Sequence, residues 1–308
     1  MQIVFMGTPE VAAVSLARLL EGSDPVVGVV TQPDRAAGRG QTVMPSPVRK
    51  VAERQGIAVL TPEKMRDPAF LSALNQWAPQ LIVVVAYGRI LPRQILDLPP
   101  LGCLNVHYSL LPKYRGAAPV AWAVVNGEEK SGVTTMQLVE KMDAGPVFLQ
   151  REIPLAPDET AGSLQAKLAP VGAALLMETI AKLKAGSLTP RAQNEQEATY
   201  APMLKKEDGS IDWRLPAVAI ERRVRGLSPW PSAYTQLDGK LLKIHRATVI
   251  TSEPGRTPGE VVRADKFALW IATGEAALSL DEVQLENKKR LPAADFLRGA
   301  KIEKGARL

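Results

Sequence analysis

The fold class of this chain is decided by its first residues, Gln2-Ile3-Val4-Phe5-Met6-Gly7-Thr8-Pro9-Glu10. The apolar run before Gly7 predicts a buried strand, and Pro9 and Glu10 favour the first turn of a helix. A second apolar run, at residues 25–30, predicts the next strand. Strand, helix and strand within about thirty residues indicate a βαβ unit with a parallel sheet. Only one glycine stands where the dinucleotide fingerprint requires three, so the stretch does not predict a nicotinamide cofactor.

Two later apolar runs predict neighbouring strands of the same sheet. The continuous β-branched run Leu81-Ile82-Val83-Val84-Val85 is typical of a central strand covered on both faces. The second run, Cys103-Leu104-Asn105-Val106-His107-Tyr108-Ser109, is a short strand that carries polar groups. Successive side chains of a strand point to opposite faces, so Asn105, His107 and Ser109 share one face. Ligands bind at the carboxyl ends of strands in open α/β sheets, and chemistry is therefore expected here.

An amide and an imidazole two residues apart suit the stabilisation of developing charge on oxygen together with proton transfer. The other interpretation of Asn105 and His107 is a structural pair held by hydrogen bonds in the interior. Asp143 lies in the turn Lys141-Met142-Asp143-Ala144-Gly145 and also has two interpretations. It is either a routine turn former or a carboxylate that folds back and orients the histidine ring. Spacing alone leaves these alternatives open.

The composition limits the kind of site and the compartment. The chain has 308 residues, one cysteine and two histidines, so an internal disulfide is excluded and a metal site is not predicted. No apolar run approaches the roughly 20 residues that cross a bilayer. The chain opens on a core-like strand and not on a charged segment followed by a long apolar one, which argues against a signal peptide. We expect a protein of the reducing cytoplasm without a membrane partner.

The sequence pattern changes beyond residue 206, which predicts two domains joined by a linker. Residues 1–189 predict an α/β domain with a Rossmann-like, open and mostly parallel sheet. Residues 190–206 lack periodicity and are interpreted as a linker. Residues 207–308 predict a small, OB-like β-barrel domain, because short strands recur at the intervals typical of that architecture. The five strands predicted in this domain are 232–237, 240–250, 259–263, 267–273 and 277–285.

Positive charge is concentrated in the C-terminal third. The net charge is +6, and residues 204–308, with 19 Lys and Arg against 14 Asp and Glu, contribute +5 of it. This favours a polyanionic partner such as nucleic acid, and plain solubility is the competing explanation. The loop at 31–50 is also basic, and Gly38 and Gly40 leave Arg39 on a flexible tip. That loop is interpreted either as a contact for a phosphate backbone or as a solvated surface loop.

Four motifs resemble those of the formyltransferases that use 10-formyltetrahydrofolate. They are Asn105-Val106-His107, Ser109-Leu110-Leu111-Pro112, Arg115-Gly116-Ala117-Ala118-Pro119 and Met142-Asp143-Ala144-Gly145. Further features resemble the members of this family that act on a tRNA. They are Thr31-Gln32-Pro33-Asp34-Arg35, Gly38-Arg39-Gly40 and Met44-Pro45-Ser46-Pro47 in one loop, and Ile211-Asp212-Trp213 and Pro229-Trp230-Pro231 in the C-terminal domain. The resemblance covers essentially the whole chain.

The resemblance implies a catalytic trio, a folate loop and a tRNA contact. The implied trio is Asn105, His107 and Asp143. The implied folate loop is Ser109, Leu110, Leu111 and Pro112. The implied tRNA-binding residues are Arg35 and Arg39. The implied reaction uses 10-formyltetrahydrofolate as co-substrate, needs no metal, and formylates the α-amino group of methionine on initiator Met-tRNA; a monomer is expected.

Two other functions are weighed against this one. Formyl transfer to a small amine, such as a ribonucleotide or a sugar nucleotide, needs neither a basic loop nor a basic barrel. RNA binding without catalysis does not require the intact trio. Tyr108 departs from the family pattern, because a small residue, glycine or alanine, is expected at its position. It lies on the strand face opposite Asn105 and His107, so we expect it to pack and not to act.

Overall fold

The computed structural model describes residues 1–37, 42–250 and 256–308. The chain forms two compact units. The first comprises Met1–Pro119, Lys130–Pro154 and Gln165–Pro202, and the second comprises Val120–Glu129, Leu155–Leu164 and Met203–Leu308. Within the described ranges, none of the helices combines the length and the apolar character that crossing a membrane requires.

The elements follow in chain order. The strands are β1 (Ile3–Gly7), β2 (Val26–Val30), β3 (Arg35–Ala37), β4 (Thr42–Met44), β5 (Val59–Leu60), β6 (Leu81–Val85), β7 (Cys103–His107), β8 (Arg115–Gly116), β9 (Lys130–Gln137), β10 (Val147–Pro154), β11 (Tyr200–Ala201), β12 (Ala233–Leu237), β13 (Lys240–Ile250), β14 (Val261–Ala264), β15 (Leu269–Ala272), β16 (Ala277–Leu285) and β17 (Leu291–Pro292). The α-helices are α1 (Glu10–Leu20), α2 (Pro47–Arg54), α3 (Pro68–Gln76), α4 (Arg93–Leu96), α5 (Pro119–Val125), α6 (Ala161–Lys184), α7 (Ala217–Gly226) and α8 (Ala293–Leu297). Short 3-10 helices lie at Glu195–Glu197 and Lys206–Gly209.

The first unit is built on a seven-stranded sheet with the order β10-β9-β7-β6-β1-β2-β5. The strands β7, β6, β1, β2 and β5 run parallel, whereas β9 and β10 are antiparallel to their neighbours. The predicted open, mostly parallel α/β sheet is therefore confirmed. Every residue of β1 and β6 is buried, which is the pattern of strands covered on both faces. This architecture sets the end of β6 beside the end of β7.

Gly7 allows α1 to begin close to the end of β1. The helix starts three residues after Gly7, with Pro9 as its N-cap residue. A Cβ atom on Gly7 would lie 2.8 Å from the Cβ of Ala12 and 2.9 Å from the carbonyl oxygen of Val85. Because side chains are not tolerated at such distances, only glycine fits there. The single glycine of the opening stretch thus serves the packing of the βαβ unit.

Helix α6 continues through Pro170. Proline removes one backbone hydrogen bond, and the sequence pattern predicts that Pro170 kinks or splits the helix. The helix is not split. Leu168 before the proline and Leu175 after it are both buried, whereas Pro170 itself is exposed. We attribute the continuity to this apolar packing on both sides of the proline, which offsets the lost bond.

The second unit is built on an antiparallel sheet with the strand order β12-β13-β16-β15-β14, and the short β17 pairs with β16. All five strands predicted from the sequence in this region are present. Apolar side chains of α7 and α8 join the sheet residues in one buried cluster, which includes Ile220, Val224 and Phe296. The second unit therefore has its own core, as expected of a separate domain.

The motif Ile211-Asp212-Trp213 contributes to the core of this unit. The Trp213 side chain is buried in the apolar cluster, and its indole N–H donates to the hydroxyl of Thr235 at 3.2 Å. The carboxylate of Asp212 accepts hydrogen bonds from Arg214, whose guanidinium holds the pKa of Asp212 at about 2. These contacts assign the motif to local structure.

Candidate active site

Asn105 and His107 lie on β7, near its carboxyl end. They are 8% and 6% exposed, so both are nearly enclosed but still reach the surface of the first unit. β7 pairs with β6 on one side and with β9 on the other, where His107 lies opposite Thr134. Because β7 is a regular strand, the two side chains share one face, as predicted.

The imidazole of His107 contacts a backbone carbonyl on one side and a carboxylate on the other. Its Nε2 lies 2.9 Å from the carbonyl oxygen of Tyr114, which only accepts, so Nε2 carries a proton and donates it. Its Nδ1 faces Oδ2 of Asp143 at 3.7 Å. A neutral ring with its proton on Nε2 has a lone pair on Nδ1. That lone pair is directed toward the carboxylate across a gap that is longer than a hydrogen bond, and a carboxylate facing an imidazole nitrogen suits proton transfer.

Asp143 reaches His107 because its loop is held in a special conformation. The residue has a φ of +49°, in the left-handed region that few residues other than glycine adopt. Its Oδ2 accepts a hydrogen bond of 2.8 Å from the backbone N–H of Gly116. The carboxylate is thus fixed between that N–H and the imidazole, and of its two sequence interpretations the geometry favours the orienting role.

The amide of Asn105 is free to bind another molecule. It forms no hydrogen bond with any residue in the described part of the chain, and its polar atoms are not sealed from solvent. A structural asparagine in the interior would be expected to have partners. An amide N–H₂ beside an imidazole is a suitable donor for an oxygen on which negative charge develops.

The loop after β7 is held by hydrogen bonds of its own. The Ser109 hydroxyl donates to the carbonyl of Lys113 at 2.6 Å, and the Thr134 hydroxyl donates to the carbonyl of Ser109 at 2.6 Å. Leu111 is buried in a small apolar cluster with Met136 and Val147. Leu110 and Pro112 are partly exposed. Of the four residues implied for folate binding, Ser109 and Leu111 thus serve the loop itself, and the other two reach its surface.

Tyr108 packs beneath helix α6 and away from Asn105. A Cβ atom on Gly172 of that helix would lie 3.0 Å from Cε1 and 3.1 Å from the hydroxyl of Tyr108, so the ring occupies the space that glycine leaves. The hydroxyl is buried and has no hydrogen-bond partner in the described part of the chain. Burial raises the pKa of Tyr108 to about 12. The expectation that it packs and does not act agrees with these contacts.

Sequence reasoning missed the residues that support the Asp143 loop. Arg115 is fully buried and binds Gln193 and Glu195, both in the segment interpreted as a linker. Thr199, in the same segment, accepts the backbone N–H of Tyr114. The hydrogen bonds of Arg115, and secondarily those of Lys141, lower the pKa of Glu195 to about 2. A buried arginine is almost always paired. The sequence pattern around Arg115 does not show that it is buried, so its partners could not be predicted.

The residues proposed to contact tRNA are only partly described. Arg39 lies outside the described residues, and the backbone of Arg35 belongs to β3, which forms a hairpin with β4. Arg49 is engaged within the protein, where it binds the carboxylates of Asp34 at 2.6 Å and Glu53 at 2.6 Å. In the described ranges, no group of three or more His, Cys, Asp or Glu side chains is placed to hold a metal ion.

Comparison with known proteins relates this site to a family. The model of the family described as "Formyl transferase" matches residues 1–180, and that described as "Formyl transferase, C-terminal domain" matches residues 203–301. The chain belongs to the formyl transferase family. Curated relatives in this family include a methionyl-tRNA formyltransferase of Desulfotalea psychrophila, 52% identical over 98% of this chain and 94% of the relative. Another, from Geobacter metallireducens, is 47% identical over 100% of this chain and 98% of the relative.

Solved structures of the family share the fold at low identity. A sugar 3N-formyl transferase, WlaRD, in the presence of dTDP and 5-N-formyl-THF, matches with a TM-score of 0.68 at 17% identity, over 94% of this chain and 99% of that chain. HypX from Aquifex aeolicus in complex with tetrahydrofolic acid matches with a TM-score of 0.63 at 20% identity, over 100% of this chain and 51% of that chain. These likenesses establish the shared architecture.

Proposed function

We propose that this chain transfers the formyl group of 10-formyltetrahydrofolate to the α-amino group of methionine on initiator Met-tRNA. The observation that carries the proposal is the convergence of the Asn105 amide, the His107 imidazole and the Asp143 carboxylate at the end of β7. Met-tRNA is chosen as the acceptor because the full-length relatives, which are 52% and 47% identical to this chain, are named methionyl-tRNA formyltransferases.

Asn105 acts on the oxygen of the formyl group. When the amine attacks the formyl carbon, the oxygen gains negative charge, and a positioned N–H donor stabilises that charge more than it stabilises the ground state. The Asn105 amide has no competing partner in the described part of the chain. Such a donor typically contributes roughly 10²–10³ to the rate.

His107 and Asp143 act on the proton of the attacking amine. The amine must be neutral to attack, and it loses a further proton as the amide forms. The site therefore needs a general base that takes up the proton of the amine. The Asp143 carboxylate, 3.7 Å from Nδ1 of His107, forms such a pair with the ring. The Tyr114 carbonyl holds Nε2–H, so that the other nitrogen stays directed to the carboxylate.

The donor set fits a folate that carries a formyl group. Bound 10-formyltetrahydrofolate would supply an activated formyl group. The bond from the formyl carbon to N10 breaks as the new amide forms, and N10 leaves as an amine with a proton that balances the one lost by the attacking amine. The chain supplies the free Asn105 amide, the partly exposed Leu110 and Pro112, and two exposed apolar side chains, Ile90 in the loop after β6 and Met142 beside Asp143. A flat ring system is held by apolar contacts of this kind, and an oxygen by the amide.

The tRNA binds to the basic parts of the chain in this proposal. The region from 204 to the C-terminus carries +5 of the net charge of +6, which suits contacts with a phosphate backbone. We propose that Arg35 and Arg39 bind the tRNA, Arg39 at its acceptor end. We further propose a catalytic domain at 1–189, a linker at 190–206 and a tRNA-binding domain at 207–308. The chain would act as a monomer in the reducing cytoplasm.

A substrate comparison tests this function. Purified protein is supplied with 10-formyltetrahydrofolate and either initiator Met-tRNA, glycinamide ribonucleotide or an amino-sugar nucleotide, and formylated product is measured. We expect product with Met-tRNA and none above background with the small amines. Product with a small amine but not with Met-tRNA would show that the enzyme formylates small amines and would contradict the proposal. Binding of RNA without product from any acceptor would instead support an RNA-binding protein that does not catalyse formyl transfer.

A further inference from the structure

The backbone of the turn that carries Asp143 is bound by the side chain of Gln193. The Nε2 of Gln193 donates to the carbonyl oxygen of Asp143 at 2.8 Å and to that of Gly145 at 2.7 Å. These bonds span about 50 residues of sequence and lie within the first unit. Both hydrogens of the Gln193 amide are therefore used on the loop of the catalytic carboxylate.

The oxygen of the same amide is also occupied. Oε1 of Gln193 accepts from Nε of Arg115 at 3.1 Å and from Nη2 of Arg115 at 2.9 Å. An amide that accepts twice on oxygen and donates twice from nitrogen has one orientation, because a flip would set donors against donors. Arg115 thus fixes the direction in which Gln193 presents its N–H groups.

Arg115 is in turn fixed by a carboxylate. Its side chain is fully buried, and it binds both oxygens of Glu195 at 3.1 Å and 2.9 Å. A bidentate pair of this kind is stronger and more directional than a single hydrogen bond. Glu195 also accepts from Nζ of Lys141, two residues before Asp143, at 2.6 Å. The segment at 193–195 therefore holds the loop of Asp143 at three points.

The Asp143 turn needs such support. Asp143 has a φ of +49°, in the left-handed region that aspartate adopts less readily than glycine, so contacts from outside the turn help to hold this conformation. The carboxylate must nonetheless stay near Nδ1 of His107, now at 3.7 Å, since a misplacement of about 1 Å can cost 10²-fold in rate.

We propose that Gln193 is a positioning residue for Asp143. By holding the carbonyl groups of Asp143 and Gly145, it keeps the carboxylate within reach of His107, and Arg115 and Glu195 keep Gln193 in the orientation that does so. Gln193 touches no reacting atom in this assignment. The inference rests on the proposed formyl transfer for its kinetic consequences, and its structural consequence is measurable without turnover.

Two substitutions separate the loop contact from the contact with Arg115. Gln193→Glu keeps an acceptor for the buried Arg115 but removes both N–H donors from the Asp143 turn. Gln193→Met keeps the length of the side chain and removes its hydrogen bonds to Arg115, Asp143 and Gly145. Gln196→Glu is the matched control, because it makes the same chemical change at an exposed glutamine three residues away. Thermal unfolding of each variant establishes that it is folded.

The kinetic test is the split between kcat and KM. We expect both Gln193 variants to lower kcat for formylation of Met-tRNA about 10- to 100-fold and to leave both KM values within about twofold, as for an interaction used in the transition state. Gln196→Glu should match the wild type. Raised KM values with unchanged kcat would overturn the proposal, because they would mean that the segment serves substrate binding only.

The independent test uses the ring nitrogens of His107. The chain has only two histidines, so ¹⁵N-histidine spectra contain two ring systems, and a His245→Gln variant assigns them. We expect the ¹⁵N chemical shifts of His107 to change in both Gln193 variants and to match the wild type in Gln196→Glu. The chemical shifts of His245 serve as an internal reference. Unmoved His107 resonances in folded Gln193 variants would overturn the proposal. Moved resonances in a protein that does not formylate Met-tRNA would support the positioning role and contradict the proposed function.

Discussion

The carboxylate of Asp143 lies 3.7 Å from Nδ1 of His107, and the backbone N–H of Gly116 holds the same oxygen at 2.8 Å. The Asp143 loop lies 27 residues beyond Gly116 in the sequence. The arrangement directs Nδ1 of His107 toward the carboxylate and leaves the Asn105 amide without a partner in the described part of the chain, on the same face of β7 as His107. We therefore treat the pair as the proton-handling part of the site and Asn105 as the part that stabilises charge on oxygen.

Removal of the Asn105 amide should reduce the rate of transfer and spare binding. We expect Asn105→Ala to lower kcat about 10²- to 10³-fold, because the donor to the developing oxyanion is lost. The affinity for Met-tRNA should remain within about twofold, measured by filter binding. Asn75→Ala, at an exposed asparagine in α3, is the matched control and should match the wild type. An active Asn105→Ala enzyme would remove Asn105 from the mechanism.

The contact of Tyr108 with Gly172 should be visible in stability. The new methyl group of Gly172→Ala would lie 3.0 Å from Cε1 of Tyr108, and overpacking of this kind costs about 1–3 kcal/mol. Helix propensity returns about 1 kcal/mol, so we expect the free energy of unfolding to fall by up to about 2 kcal/mol. Urea unfolding measures the change. A stabilised Gly172→Ala variant would contradict this packing.

The pairing of Glu195 with Arg115 should make stability depend on acid pH. The hydrogen bonds of Arg115, and secondarily of Lys141, lower the pKa of Glu195 from 4.5 to about 2. A carboxylate whose pKa is lower in the folded state stabilises the protein above the unfolded-state value and loses that contribution as the pH falls toward the folded-state value.

The difference in unfolding free energy between the wild type and Glu195→Gln should therefore be constant above pH 4.5 and should shrink as the pH falls toward about 2. Urea unfolding at a series of pH values measures it. Glu63→Gln, at an exposed glutamate of the first unit, is the matched control. A difference independent of pH over that window would contradict the assignment.

Cys103 should be unreactive in the folded protein. It is buried in β7, and burial, with a smaller contribution from Asp97, raises the pKa of its thiol to about 12. The thiolate is the reactive form, so a thiol reagent at neutral pH should label no cysteine in the native chain and one in denaturant. Rapid labelling of the folded protein would mean that β7 opens readily.

The sequence predicted the parallel sheet and the shared face of Asn105 and His107, because both follow from local periodicity. It also placed Tyr108 on the opposite face, where the ring packs against Gly172. The strands of the second unit were predicted for the same reason, since short apolar runs bounded by turn residues are local signals. Of the two outcomes predicted for Pro170, a kink or a split, the split is wrong, because α6 continues through the proline.

The support of Asp143 could not be predicted from local patterns. Gln193 and Glu195 lie in a segment without periodicity, and their bonds to Arg115 span 78 and 80 residues. Polar contacts at such separations depend on the tertiary fold and leave no repeat in the sequence. For the same reason, the approach of Asp143 to His107 depended on the family resemblance.

The most direct test of the account is single-turnover transfer of labelled formyl from 10-formyltetrahydrofolate to initiator Met-tRNA. The wild type is compared with Asp143→Asn, which keeps the shape of the side chain but removes its charge, and with Asp97→Asn at an exposed aspartate. We predict formyl-Met-tRNA from the wild type and Asp97→Asn, and a transfer rate about 10²- to 10⁴-fold lower for Asp143→Asn. Equal rates for wild type and Asp143→Asn, or no formyl-Met-tRNA from the wild type, would contradict the account.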